Sequence, residues 1–270
     1  MLAEKLVVVV LISVFFAPAL MAAASLIERR LGPSAAGWVG ALPVAFAVAV
    51  IAVAVDSGPA TAAAMALSAG VHVPAQVIFG VVFARVLHRH GLLRGAVFGA
   101  LAYLVGALLI ERLPAVLAVS IAVVVLSVAP RVMPSVPLLP ASARRWPVTA
   151  LTCAGAAVIV AAAVVSSRLA GPGLTGAVAA FPTMCTMLTV VAVTRDGASA
   201  GVHTLAGLVR SLPCYLAFCV TVALSAAVAG TTCVGLGLLA CLAAAALTWK
   251  RVPVARTSAL DTGQVLETAA

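Results

Sequence analysis

The sequence predicts an all-α fold, a polytopic transmembrane helix bundle of about nine spans. It reads as two inverted-topology four-helix repeats joined by a linker helix. Three observations carry this reading. The chain is 64% hydrophobic and 9% charged, with a mean hydropathy of +1.26. A water-soluble domain carries about 25% charged residues, so this composition belongs to a bilayer. Second, the chain contains one stretch twice, at a constant offset of 139 positions. Gly32/Gly171, Pro33/Pro172, Gly37/Gly176, Pro43/Pro182, Gly58/Gly197 and Pro74/Pro213 coincide without a gap. Chance Ala and Val matches mean nothing in so apolar a chain, but Gly and Pro fix turns and kinks. Just upstream one residue slips, where Arg30-Leu31 answers Arg168-Leu169. Third, the charges sort to one side of the bilayer once nine spans are drawn.

The first predicted span covers 6–26. Glu4 and Lys5 make a weak signal-peptide n-region, and Ala22 to Ala24 resemble a cleavage site. A retained helix fits better, because the duplication gives this span a partner at 148–165. The Gly32-Pro33 turn follows, and then a second span over 38–55 with Pro43 near its start. Asp56-Ser57-Gly58 makes a tight turn, where Asp56 and its counterpart Asp196 read as caps rather than as ion ligands. The third segment, 59–84, is interrupted at Val71-His72-Val73-Pro74. Arg85, His88, Arg89, His90 and Arg94 then form a basic loop.

Spans at 95–110 and 113–129 flank a short Glu111-Arg112 turn. Residues 131–147 hold four prolines and Arg144-Arg145, a linker composition. The second repeat supplies 148–165, 174–193, 198–229 (broken at Pro213) and 231–249. The domains are therefore 1–112, a first membrane repeat; 113–147, a linker span with its Pro-rich loop; 148–250, the second repeat; and 251–270, a polar tail.

With the N-terminus outside, one side of the membrane collects Arg29, Arg30, Arg85, Arg89, Arg94, Arg131, Arg144, Arg145, Arg195, Lys250, Arg251 and Arg256. The other collects Lys5, Arg112 and Arg168. This bias sets the C-terminus in the cytoplasm. Counting the third segment as two crossings would throw Arg85, Arg89 and Arg94 to the wrong side. Five crossings separate the two repeat starts, so the repeats are inverted. Many secondary transporters share that plan and bind substrate at mid-membrane where the repeats meet. The +9 net charge is thus a topology signal and not a nucleic-acid footprint.

Candidate site residues lie on the interrupted segments. His203, Gly207 and Arg210 are spaced i, i+4, i+7 on one helix face. Thr61, Met65, Ser68, His72 and Gln76 form a similar stripe in the first repeat. Substrate-binding residues are accordingly Arg210, His203, His72, Gln76 and Ser68, with helix breaks at Pro74, Pro213, Pro43 and Pro182. Each proline removes a donor and frees a carbonyl. An Arg at bilayer depth costs roughly 2.5–3.5 kcal/mol and normally marks a pathway or an ion pair. Two alternatives stand beside this. Residues 211–229 alone are long enough to span, in which case Arg210 snorkels at the cytoplasmic edge; and His72 is a packed core histidine. Whether the Pro43 and Pro182 kinks also line a cavity is open at this stage. The six cysteines fall in apolar segments of the second half without C-x-x-C or Cys/His spacing, so they read as small core residues. No metal or cofactor is expected. No H-E-x-x-H, G-x-S-x-G or phosphate-binding glycine loop is present, so no enzymatic activity is expected.

Several motifs of the second repeat carry a resemblance: A-A-F-P-T-M at 179–184, R-D-G at 195–197 and L-V-R-S-L-P-C-Y at 208–215. They resemble the GlpM family of small four-span bacterial membrane proteins, related to the membrane family DUF3147, over residues 148–249. A-L-P at 41–43 and D-S-G at 56–58 echo them in the first repeat. The resemblance implies two such modules fused through an extra helix, in a bacterial inner membrane. It also implies an association with exopolysaccharide production, and assigns no functional residues. The expected function is a secondary transporter or exporter of a small solute, with the solute meeting the Pro74 and Pro213 breaks. The alternative is a non-transporting scaffold or accessory subunit of an envelope or exopolysaccharide system. Expected partners are the lipid bilayer, a small-molecule substrate, and a homo-oligomer or other membrane partner. The weak point of the transporter reading is the lack of an intramembrane carboxylate for ion coupling.

Overall fold

The computed structural model describes residues 26–27, 30–137 and 180–250, the side chains of Ala45 and Asp56 excepted. The predicted spans at 6–26 (up to residue 25) and 148–165, the opening of 174–193, linker residues 138–147 and the tail 251–270 lie outside the described residues. Among the described residues every regular element is helical. In chain order these are α1 (Pro33–Gly40), α2 (Val44–Ser57), α3 (Pro59–Val71), α4 (Val73–His90), α5 (Leu92–Ile110), α6 (Ala115–Val132), α7 (Thr183–Asp196), α8 (Ala198–Ala229) and α9 (Cys233–Trp249). A 3₁₀ turn, Gly230–Thr232, joins the last two.

Four stretches are long and apolar enough to cross a membrane: Pro59–His90, Leu92–Ile110, Ala115–Val132 and Ala198–Trp249. The outward faces of α5, α6 and α9 are apolar, with Leu109 60%, Val116 81% and Leu247 74% exposed. A surface of that extent suits lipid and not water.

The interior is organised around α8, which packs against α1, α3, α4, α7 and α9. It crosses the α3–α4 pair antiparallel. Gly70 faces Cys219 and Leu216, while Gly80 faces Val209 and Leu208. Lipid supplies no hydrophobic drive between helices, so close approach through small residues does the work. The tightest approach is at α1. Any Cβ on Gly207 would overlap the Ser34 carbonyl, and one on Gly37 would overlap the Thr204 carbonyl. The Phe79, Phe83, Phe181 and Tyr103 rings then pack edge to face beside the crossing.

Element bounds recur along the chain. Helices α2 and α7 are both 14 residues long and begin 139 positions apart. The run Pro59–His90 and α8 are both 32 residues and show the same offset. Gly58 and Gly197, each with φ near 89°, make the turns between them, a conformation that only glycine adopts without strain.

Several sequence expectations change. The span predicted over 38–55 is two helices, because Pro43 has no N–H to continue α1 and its ring excludes the carbonyl one turn back. The basic loop is absent as a loop. Arg85, His88, Arg89 and His90 are the last turns of α4, Arg94 lies in α5, and only Gly91 intervenes. Pro213 does not interrupt its helix, since α8 runs through it. Pro213 leaves the Val209 carbonyl without its in-helix donor, while the Ser211 hydroxyl donates to the Leu208 carbonyl at 2.8 Å. Asp196 does not cap α8; it ends α7, with Oδ2 3.7 Å from Nε of Arg195.

Candidate functional site

Two proline turns face each other across a cavity. Residues 41–43 interrupt the path from α1 to α2, and residues 180–182 precede α7. At each turn the residue after proline donates its N–H two residues back, Val44 to the Leu42 carbonyl and Thr183 to the Phe181 carbonyl, both at 2.8 Å. Pro182, with φ −78° and ψ 61°, is close to an inverse γ-turn, and Pro43, with φ −75° and ψ 35°, is a flatter version. Among the described residues the N–H groups of Phe46, Met184 and Cys185 make no backbone hydrogen bond, as expected in the first turn of a helix.

The cavity has a volume of about 350 Å³, within the range of small-molecule sites. Both turns line it, together with Phe46, Met65, Gln76, Cys185, Leu212 and Tyr215. Gln76 and Leu212 lie at the middles of the two 32-residue stretches, so the cavity sits half-way along both. Gln76 is 4% exposed, and its Nε2 donates to the Ala180 carbonyl at 2.6 Å. That bond ties α4 to the turn before α7 across the cavity wall. The lining is mostly apolar. Its polar groups are the Gln76 amide, the Tyr215 and Thr183 hydroxyls, and the backbone of the turns.

Of the residues singled out from sequence, Gln76 and Met65 reach this cavity, as do Pro43 and Pro182. The others go elsewhere. His203 places Nδ1 3.5 Å from the Ser34 hydroxyl and Gly207 lies against the Ser34 carbonyl, so His203 and Gly207 pack on α1. Arg210 is half-buried, and its Nη1 has no hydrogen-bond partner among the described residues. His72 stands at the α3–α4 junction, where Pro74 occupies the first turn of α4. Its Nδ1 lies 2.6 Å from the Ser68 carbonyl, which makes Nδ1–H the donor. Ser68 thus contributes its backbone to His72 and not its hydroxyl to the cavity.

Sequence reasoning missed two groups. Glu111, read as part of a turn, sets Oε1 3.8 Å from Nε2 of His72. A carboxylate therefore stands beside the helix junction where none was expected. Tyr215 and Phe181 were also missed as lining residues. The signal for Phe181 was present in the coincidence of A-L-P with A-F-P; no spacing rule pointed to Glu111 or Tyr215.

Among the described residues no group of three or more His, Cys, Asp or Glu is placed to hold a metal ion. No protein-family model, curated protein or solved structure matches the chain.

Proposed function

We propose that the chain is a multi-pass inner-membrane transporter or exporter of a small solute, built from two inverted repeats, with its binding site in the cavity between the two proline turns. The observation that carries this reading is that cavity, closed by one turn from each half of the chain at the midpoint of both long helical stretches. The contacts support the repeat. Adding 139 to Gly70 gives Val209, and adding it to Gly80 gives Cys219, so the Gly70–Cys219 and Gly80–Val209 contacts are copies of each other. Antiparallel crossing of equivalent helices is what a two-fold axis in the membrane plane produces. Phe79 and Phe218 also occupy equivalent places, each against a glycine of the following helix, Gly99 and Gly237.

The nine-span count, the outside N-terminus, the cytoplasmic C-terminus and the GlpM-like kinship belong to the same proposal. The solute is small and largely apolar, with an acceptor group for the free N–H groups of Phe46, Met184 and Cys185. His72 and Glu111 supply the nearest ionisable pair for coupling.

Native Cys185 lines the cavity and is 2% exposed, which makes it the reporter. The test replaces the other five cysteines and follows Cys185 labelling by a small membrane-impermeant thiol reagent, in right-side-out and inverted vesicles. Alternating access predicts slow labelling from both sides. Failure to label from either side, while a cysteine placed at His90 labels normally, would leave a sealed bundle and favour the scaffold reading.

A further inference from the structure

A second concave site lies at one end of the bundle, far along the chain from the proline turns. The groove has a volume of about 480 Å³ and is lined by Arg85, His88, Arg89 and His90 of α4 and by Arg131 to Pro134 at the end of α6. Three guanidiniums and two imidazoles line it, and no acidic side chain does. Two of the guanidiniums are oriented by carbonyls and not by carboxylates. Arg85 donates from Nε and Nη2 to the Val132 carbonyl, at 3.3 and 3.0 Å, and Arg131 donates from Nη1 to the Ser127 carbonyl at 2.7 Å. These bonds fix the side chains, and no carboxylate among the described residues pairs with their charge. The partial negative charge of two helix C-termini, about half a unit each, does not offset three guanidiniums.

The place of the groove defines its occupant. Candidate spans α4 and α6 end here and α5 begins here, so the groove lies at a membrane–water boundary. Beneath it both helices turn apolar along the same faces. Ile78 and Val82 precede Arg85 and Arg89 on α4, while Val124 and Val128 precede Arg131 on α6, at helical spacing. Ile78, Val124 and Val128 are 39%, 63% and 49% exposed. Charge above and bare aliphatic surface below match an anionic amphiphile of the surrounding leaflet.

We propose that this groove is a binding site for an anionic phospholipid. Its phosphate sits among Arg85, Arg89 and Arg131, and its acyl chains lie against the Ile78 and Val124–Val128 faces. Basic pockets between helix ends hold such headgroups, and Arg matches phosphate through bidentate hydrogen bonds.

Native mass spectrometry of the full chain in detergent tests this, by titration with phosphatidylglycerol, with phosphatidylcholine and with inorganic phosphate. Expected are retained phosphatidylglycerol adducts, no comparable phosphatidylcholine adducts, and no displacement by inorganic phosphate at matched concentration. The Arg89 side chain is exposed and makes no hydrogen bond among the described residues, so Arg89→Gln leaves the fold intact and weakens the adduct roughly fivefold. The triple variant with Arg85→Gln and Arg131→Gln abolishes it. Arg112→Gln, outside the groove, leaves it unchanged. Equal retention of both lipids, or an unaltered adduct in Arg89→Gln, overturns the proposal. Displacement by inorganic phosphate overturns the lipid assignment in favour of a free anion.

Discussion

Replacing Gln76 by Met keeps the side-chain volume close and removes one hydrogen bond, so it isolates the link between the two halves of the chain. Nε2 lies 2.6 Å from the Ala180 carbonyl, and that carbonyl accepts no backbone hydrogen bond from the described residues. A buried polar group left unpaired costs about 1–3 kcal/mol. Interhelical hydrogen bonds within membranes measure lower, about 0.6 kcal/mol on average and about 1.7 at most, because the unfolded helices find other partners. With Gln76 only 4% exposed, the upper part of that range applies, and the expected loss is about 1–2 kcal/mol. The assay is denaturation in mixed micelles, followed by tryptophan fluorescence from Trp38 and Trp249, which pack against each other at 4.9 Å between ring centroids. Ser120→Ala serves as reference. Its hydroxyl bonds its own helix at Val116 on an exposed face, so little change is expected. Because Ala180 belongs to the turn that leads into α7, whose first helical turn carries Cys185, Gln76→Met also accelerates Cys185 labelling. If Gln76→Met and Ser120→Ala lose the same small amount, and Cys185 labels at the wild-type rate, the bond does not hold the turn and the reasoning is wrong.

Gly207→Val drives a side chain into the α1 backbone and abolishes recovery of folded protein, whereas Gly235→Ala, with nothing within 4 Å of the new Cβ, is neutral; fluorescence-detected gel filtration separates the two. Phe79→Ala empties a fully buried site between Phe83 and Phe181 and lowers stability by about 3–5 kcal/mol in the same denaturation assay. Arg210→Met removes a buried donor with no described partner, so stability holds or rises by about 1 kcal/mol; a clear loss instead means that the guanidinium is structurally engaged.

The apolar, helical character of the described residues and some of the turns between helices were legible without a structure. They rest on local physics. Composition sets the solvent, Pro43 keeps α1 from continuing into α2 by what it lacks, and glycine at 58 and 197 permits a positive φ. The site was legible only in part. Periodicity correctly grouped His203, Gly207 and Arg210 on one face, but it could not say what that face meets. The answer is α1, because Gly207 admits its backbone and Ser34 comes within reach of His203. Pro213 misled for a related reason, since a proline inside a helix removes one hydrogen bond without having to end the helix, and α8 is held continuous by its packing against neighbouring helices.

The sequence by itself determined that this chain forms helices apolar enough for a bilayer and that its two halves are punctuated alike, because those properties depend on residue type and on neighbours within one turn. Only the tertiary structure decided that the two A-x-P turns meet across a cavity, that Gln76 joins them, and that Glu111 stands beside His72. Those pairings join residues 39 to 139 positions apart, and helix packing alone selects them.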